Sequence, residues 1–144
     1  MSNATKNRKL KFLTLTIGGN PYTVQVKTWK ITNNTDDGER FFVYVPSGTP
    51  ITDGEFREQA EDDYALTVSF FSDWTVNGFS DYLVQNDQQT VAFQLDHHQD
   101  IPGEYVRWAG SVKIKAPEVG GDVRTTEQQE VTMQCVGKPT YTRP

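Results

Sequence analysis

Cysteine and histidine are almost missing from this 144-residue chain, which has only Cys135, His97 and His98. One cysteine can form neither an internal disulfide nor a thiolate metal cage, so folding must rest on the apolar core. Long apolar runs are missing too. The stretch Phe41-Phe42-Val43-Tyr44-Val45 falls far short of the roughly 20 residues that cross a bilayer as a helix. The N-terminus has no signal-peptide core, because Lys6, Arg8, Lys9 and Lys11 lead straight into a strand-like segment. A soluble domain made inside the cell, without membrane partners, is expected. The length suits one domain over 1–144 and leaves no room for two ordinary ones.

Catalytic signatures are equally scarce. No Gly-x-Ser-x-Gly elbow surrounds Ser69 or Ser80. Gly18-Gly19 and Gly120-Gly121 lack the following helix and lysine that would cradle a phosphate. His97 and His98 lie beside Asp96 and Asp100, but neighbouring residues of a strand point to opposite faces, so the pair cannot share an ion unless the segment curls into a loop. Cys135 alternates with polar residues and reads as a small core side chain. Glu61 and Asp63 sit in an acidic run without the apolar surroundings that would separate their pKa values. Trp74 and Trp108 read as packing residues, which leaves Trp29 as the one candidate for a sugar-binding platform. No enzyme, cofactor or metal site is expected.

Charge is distributed unevenly. The 14 basic and 19 acidic side chains leave a net charge of −5, yet residues 1–11 carry four basic groups and no acidic one. Between 36 and 63, Asp36, Asp37, Glu39, Asp53, Glu55, Glu58, Glu61, Asp62 and Asp63 face only Arg40 and Arg57. An acidic body is the wrong electrostatics for holding phosphates; it reads equally as a solvated surface that keeps the protein soluble, and it does not exclude a protein that lets DNA pass without holding it.

What is present is mostly a period of two, the mark of strands. Leu13, Leu15 and Ile17 alternate with threonines, and Gly18-Gly19-Asn20 supplies a tight turn. Tyr22, Val24 and Val26 then alternate on a predicted return strand running to Ile31, so the first thirty residues read as a hairpin. Residues 32–62 read as a long projecting loop or extended hairpin whose arms include 41–45; a connection of that length is uncommon without a task. Alternation resumes at Tyr64, Leu66, Val68 and Phe70. Ser72 or Asp73 is placed to cap a helix over 74–86, with Val76, Phe79 and Leu83 as its apolar stripe. Further strands are expected around Val91–Leu95, Val106–Ile114 and 125–136. The fold class is mainly β: a β-sandwich or partly closed barrel with one α-helix.

The run Trp108-Ala109-Gly110-Ser111-Val112-Lys113-Ile114-Lys115-Ala116-Pro117 leads into Val119-Gly120-Gly121-Asp122-Val123. A Thr-, Glu- and Gln-rich strand through Glu130-Val131-Thr132-Met133 follows, then Gly137-Lys138-Pro139. With the helix around Phe79-Ser80-Asp81-Tyr82-Leu83, this order resembles the major tail proteins, or tail tube subunits, of long-tailed bacteriophages. The resemblance covers roughly residues 64–139. It implies a structural virion protein, made in the bacterial host cytoplasm, whose copies form rings, usually hexameric. These stack into the hollow tail tube through which DNA passes without specific binding. Under it, the Gly120-Gly121 turn separates the last strands. Asp36, Asp37, Glu39, Arg40, Phe41, Phe42, Tyr44, Asp53, Glu55 and Arg57 of the long loop become candidates for contacting the neighbouring ring. The basic arm 1–9 and the tail 137–144 would be secondary contacts, with other tail proteins as further partners. A tail terminator or neck ring, and a non-catalytic carbohydrate-binding β-sandwich, are the alternatives.

Overall fold

The computed structural model describes residues 8–144, so most of the basic arm at 1–9 lies outside the described residues. Two antiparallel sheets face each other across one core. The larger is built from β1 (Leu13–Ile17), β2 (Asn20–Pro21), β7 (Thr90–His97), β8 (Val106–Lys113) and β10 (Thr140–Thr142), in the order β10-β8-β7-β1-β2. The smaller holds β3 (Val26–Asn33), β6 (Tyr64–Phe71) and β9 (Gln128–Gln134), in the order β3-β6-β9. A separate two-stranded ribbon joins β4 (Arg40–Phe42) to β5 (Glu55–Arg57). Neither large sheet closes on itself, so the fold is an open β-sandwich with one helix, α1 (Phe79–Gln85).

Strand alternation builds the core as the period of two requires. The larger sheet contributes Leu15, Ile17, Phe93, Leu95 and Val112; the smaller contributes Leu66, Val68, Phe70, Val131 and Met133. Phe79 and Leu83 bring α1 into the same cluster, and Phe79 stacks on Tyr22 at 4.6 Å and meets Phe70 at 4.4 Å between ring centroids. Burial of side chains this size stabilises by about 1.5–3 kcal/mol each.

The N-terminal hairpin is much shorter than the alternation predicts. Gly18 and Gly19, at φ +60° and +83°, make the turn, and Ile17 pairs with Asn20. Pro21 then has no N–H to offer the ladder. The chain turns through a 3-10 segment at Thr23–Gln25, where the Thr23 hydroxyl accepts the Leu15 N–H at 2.9 Å. Val24 is left exposed. β3 therefore crosses to the other sheet and pairs with β6, with an irregularity in register between Val26 and Thr28.

The helix also starts later than expected. Asp73 does not cap it; its carboxylate accepts the Thr75 N–H and hydroxyl, at 3.1 and 2.6 Å, which closes a local turn. Asn77 adopts φ +67°, a value no α-helix contains, and Gly78 is the N-cap. Val76, expected on the apolar stripe, is exposed, while Phe79 and Leu83 are buried. At the other end of the chain, residues 137–144 contribute β10, which pairs with β8 and was not anticipated as a strand.

Candidate assembly surface

Residues 34–63 form a long hairpin whose arms pair with each other and, among the described residues, with no strand of the two large sheets. Its base is fixed by local hydrogen bonds. Asn33 Oδ1 accepts the Thr35 N–H at 3.0 Å, and the Asn34 N–H donates to the Asp63 carbonyl at 2.7 Å. Asp36 and Glu61 exchange two backbone bonds of 3.0 and 2.8 Å. Asp36 Oδ1 also accepts the Gly38 N–H at 2.9 Å. Gly38 has φ +82°, and a Cβ there would lie 2.4 Å from the Glu58 carbonyl oxygen, so only glycine lets the arms run this close.

Above the base the register is Arg40 opposite Arg57, Phe41 opposite Phe56 and Phe42 opposite Glu55. Phe41 and Phe56 stack at 5.5 Å on one face. On the other, Arg40 forms an ion pair with Glu55 and lies 5.3 Å from the centroid of Phe42. The paired arms are thus 40–42 and 55–57, while Val43, Tyr44 and Val45 continue beyond β4 without strand pairing. A turn at Pro46–Thr49 and a 3-10 segment at Ile51–Gly54 close the tip. Phe42, Val43, Tyr44, Val45 and Ile51 line an apolar cup of about 590 Å³. Tyr44 is fully exposed and Ile51 is 83% exposed, an unusual display of large apolar side chains on one short element.

The candidates from the sequence therefore divide by position. Asp36, Asp37 and Glu39 lie at and just above the base, and Arg40, Phe41, Phe42, Glu55 and Arg57 on the ribbon. Tyr44 and Asp53 belong to the tip. Of the nine carboxylates between 36 and 63, only Glu55 has an ion-pair partner among the described residues. Gly120, at φ +128°, and Gly121 lie apart from the hairpin, in the exposed part, 118–127, of the connection between β8 and β9. Ile51 and Val43 were missed as candidates. Val43 stood inside the apolar run 41–45, and Ile51 was a lone apolar residue between Pro50 and Thr52, inside a segment otherwise rich in turn formers.

Other titratable groups are arranged for packing. Asp96 is buried and accepts from Arg107 Nε at 2.9 Å and from the Tyr105 hydroxyl at 2.8 Å. Burial alone would raise its pKa; the bonds from Arg107 and Tyr105 outweigh this and hold it below the usual carboxylate range. Burial pushes the Cys135 thiol up to about 11, which keeps it protonated and unreactive at neutral pH. His97 Nε2 accepts the Trp108 indole N–H at 3.1 Å, and burial lowers the pKa of this imidazole. The expected opposition of His97 and His98 fails because His98, at φ +58°, leaves the strand. The two rings meet at 4.8 Å. Among the described residues no three His, Cys, Asp or Glu side chains gather as a metal site would require. Ser80 is buried against Gln129, and Trp29 packs on His97 beside a cleft shared with Tyr64, Trp108 and Tyr141.

The open two-sheet sandwich with one helix has counterparts among solved structures. One counterpart is the tail of an empty gene transfer agent (GTA) particle, solved with C6 symmetry. It shares 15% identity at a TM-score of 0.60, over 91% of this chain and 94% of that one. Another is the sheath-tube complex of an extracellular contractile injection system in its extended state, with 10% identity and a TM-score of 0.52. There the match spans 90% of this chain and 87% of the other. No protein-family model and no curated protein matches the sequence.

Proposed function

We propose that the protein is a structural subunit of a phage-like tail tube. Its copies close into hexameric rings, and the rings stack around a lumen through which DNA is delivered. The observation that carries this reading is the match of nearly the whole chain to a chain of a sixfold-symmetric tail. Two further features support it. Among the described residues both large sheets end in unpaired edges, which a ring of copies can satisfy by pairing with neighbours. The hairpin carries an apolar tip that its own chain leaves uncovered, suited to a contact with the neighbouring ring. An acidic body would repel DNA phosphates from the wall. The protein is then a non-catalytic component of the virion tail.

Electron microscopy of concentrated purified protein tests this directly. Sixfold rings or hollow tubes are expected. A strict monomer at every concentration and salt tried overturns the reading, and single rings that never stack point instead to a cap or neck component.

A further inference from the structure

The tip cup of the hairpin has a chemically matching surface elsewhere on the same chain. Just before β1, Leu10 and Phe12 are 64% and 56% exposed, although both are large apolar side chains. They and Lys11 border a groove beside β3 that also includes Val26 and Lys27. Neither Lys11 nor Lys27 has an ion-pair partner among the described residues, and Lys27 donates only to the neutral Gln128 side chain, at 2.8 Å. The hairpin has the opposite combination: an apolar cup of about 590 Å³ on an arm pair whose carboxylates, Asp53 of the tip among them, have no ion-pair partner among the described residues except Glu55.

We infer that the hairpin cup of one copy receives the Leu10–Phe12 segment of a second copy, with Lys11 meeting the hairpin's free carboxylates. The inference rests on the tail-tube reading and specifies which surfaces of successive subunits touch. The two surfaces are different patches of one chain, so the contact is heterologous and propagates from copy to copy, as a stack requires. It brings apolar surface exposed in the single chain out of water and pairs charges of opposite sign, and a stable contact benefits from both.

Cysteine cross-linking provides the test. Two variants are made in a Cys135→Ser background, one carrying Phe12→Cys and the other Tyr44→Cys; thermal melting checks that each is folded. Mixed, assembled and oxidised, they should give a disulfide-linked dimer on a non-reducing gel that neither variant gives alone. Lys11→Glu should lower the assembled fraction about tenfold, since a weak charge contact is multiplied when it recurs around a ring. Adding Asp53→Lys should recover most of the loss. Tubes that form without the mixed dimer overturn this contact but leave the tube reading standing. A dimer from Tyr44→Cys alone would mean that hairpins meet each other, and it also overturns the contact. Absence of any assembly by the wild-type chain defeats both.

Discussion

Asp96 is the most consequential ionisable residue in the sandwich. It sits in β7, buried, with Arg107 of β8 directly opposite it and Tyr105 completing its hydrogen bonds. Its folded pKa is depressed, so its contribution to stability is complete above the unfolded value of about 4. The contribution disappears as pH falls through the folded value. Asp96→Asn should therefore melt lower than wild type at pH 7. The difference should shrink steadily below about pH 4, as the wild-type carboxylate becomes protonated. Thermal melts from pH 7 down to pH 2 check it; a constant difference across that range would mean that the ion pair adds nothing.

At the scale of elements, the hairpin is separable from the sandwich. Asp36 and Glu61 already form a doubly hydrogen-bonded pair, so an Asn-Gly turn replacing residues 37–60 joins them with tight-turn geometry. The shortened protein should keep its melting temperature within about 4 °C, the equivalent of less than ~1 kcal/mol in a domain of this size. It should not stack. Wild-type tubes from this variant would exclude the hairpin from assembly, and an unfolded product would show that the sandwich needs it. The legibility of each element follows from what holds it. β6, β7 and β8 bury one face, so their alternation was plain from the sequence, and the acidic hairpin stood out by composition. The early end of the first hairpin was harder to read, because it depends on Pro21 lacking a donor and on a threonine hydroxyl replacing a ladder bond. The helix start was hidden in Asn77, whose left-handed backbone looks like any other residue in the sequence. β10 spans three exposed residues, and only the waiting edge of β8 makes it a strand. The apolar cup draws on residues from both sides of the Pro46–Thr49 turn, a proximity that no linear pattern expresses.

At the scale of the whole molecule, the open edges of the smaller sheet are the decisive feature. β3 and β9 each pair with β6, and among the described residues no strand pairs with their outer sides. If rings close by pairing these edges, backbone amides along β3 and β9 should exchange hydrogen at least about tenfold more slowly in tubes than in free subunits. Amides of β6, paired on both sides in either state, should change little. Exchange measured by mass spectrometry before and after assembly distinguishes the two. Unchanged rates at both edges would rule out edge pairing as the means of closure.

Pairing of β6 with β9 also has a consequence in time. Val68 lies against Val131 and Leu66 against Met133, while the buried Ser80 of α1 hydrogen-bonds to Gln129 of β9. During synthesis, β6 and α1 emerge well before the strand that covers them. At ribosomal speeds the delay is on the order of several seconds, long compared with local folding. A nascent chain therefore lacks its finished smaller sheet until β9 arrives. The outer edge offered by β9 is thus among the last parts of the domain to exist.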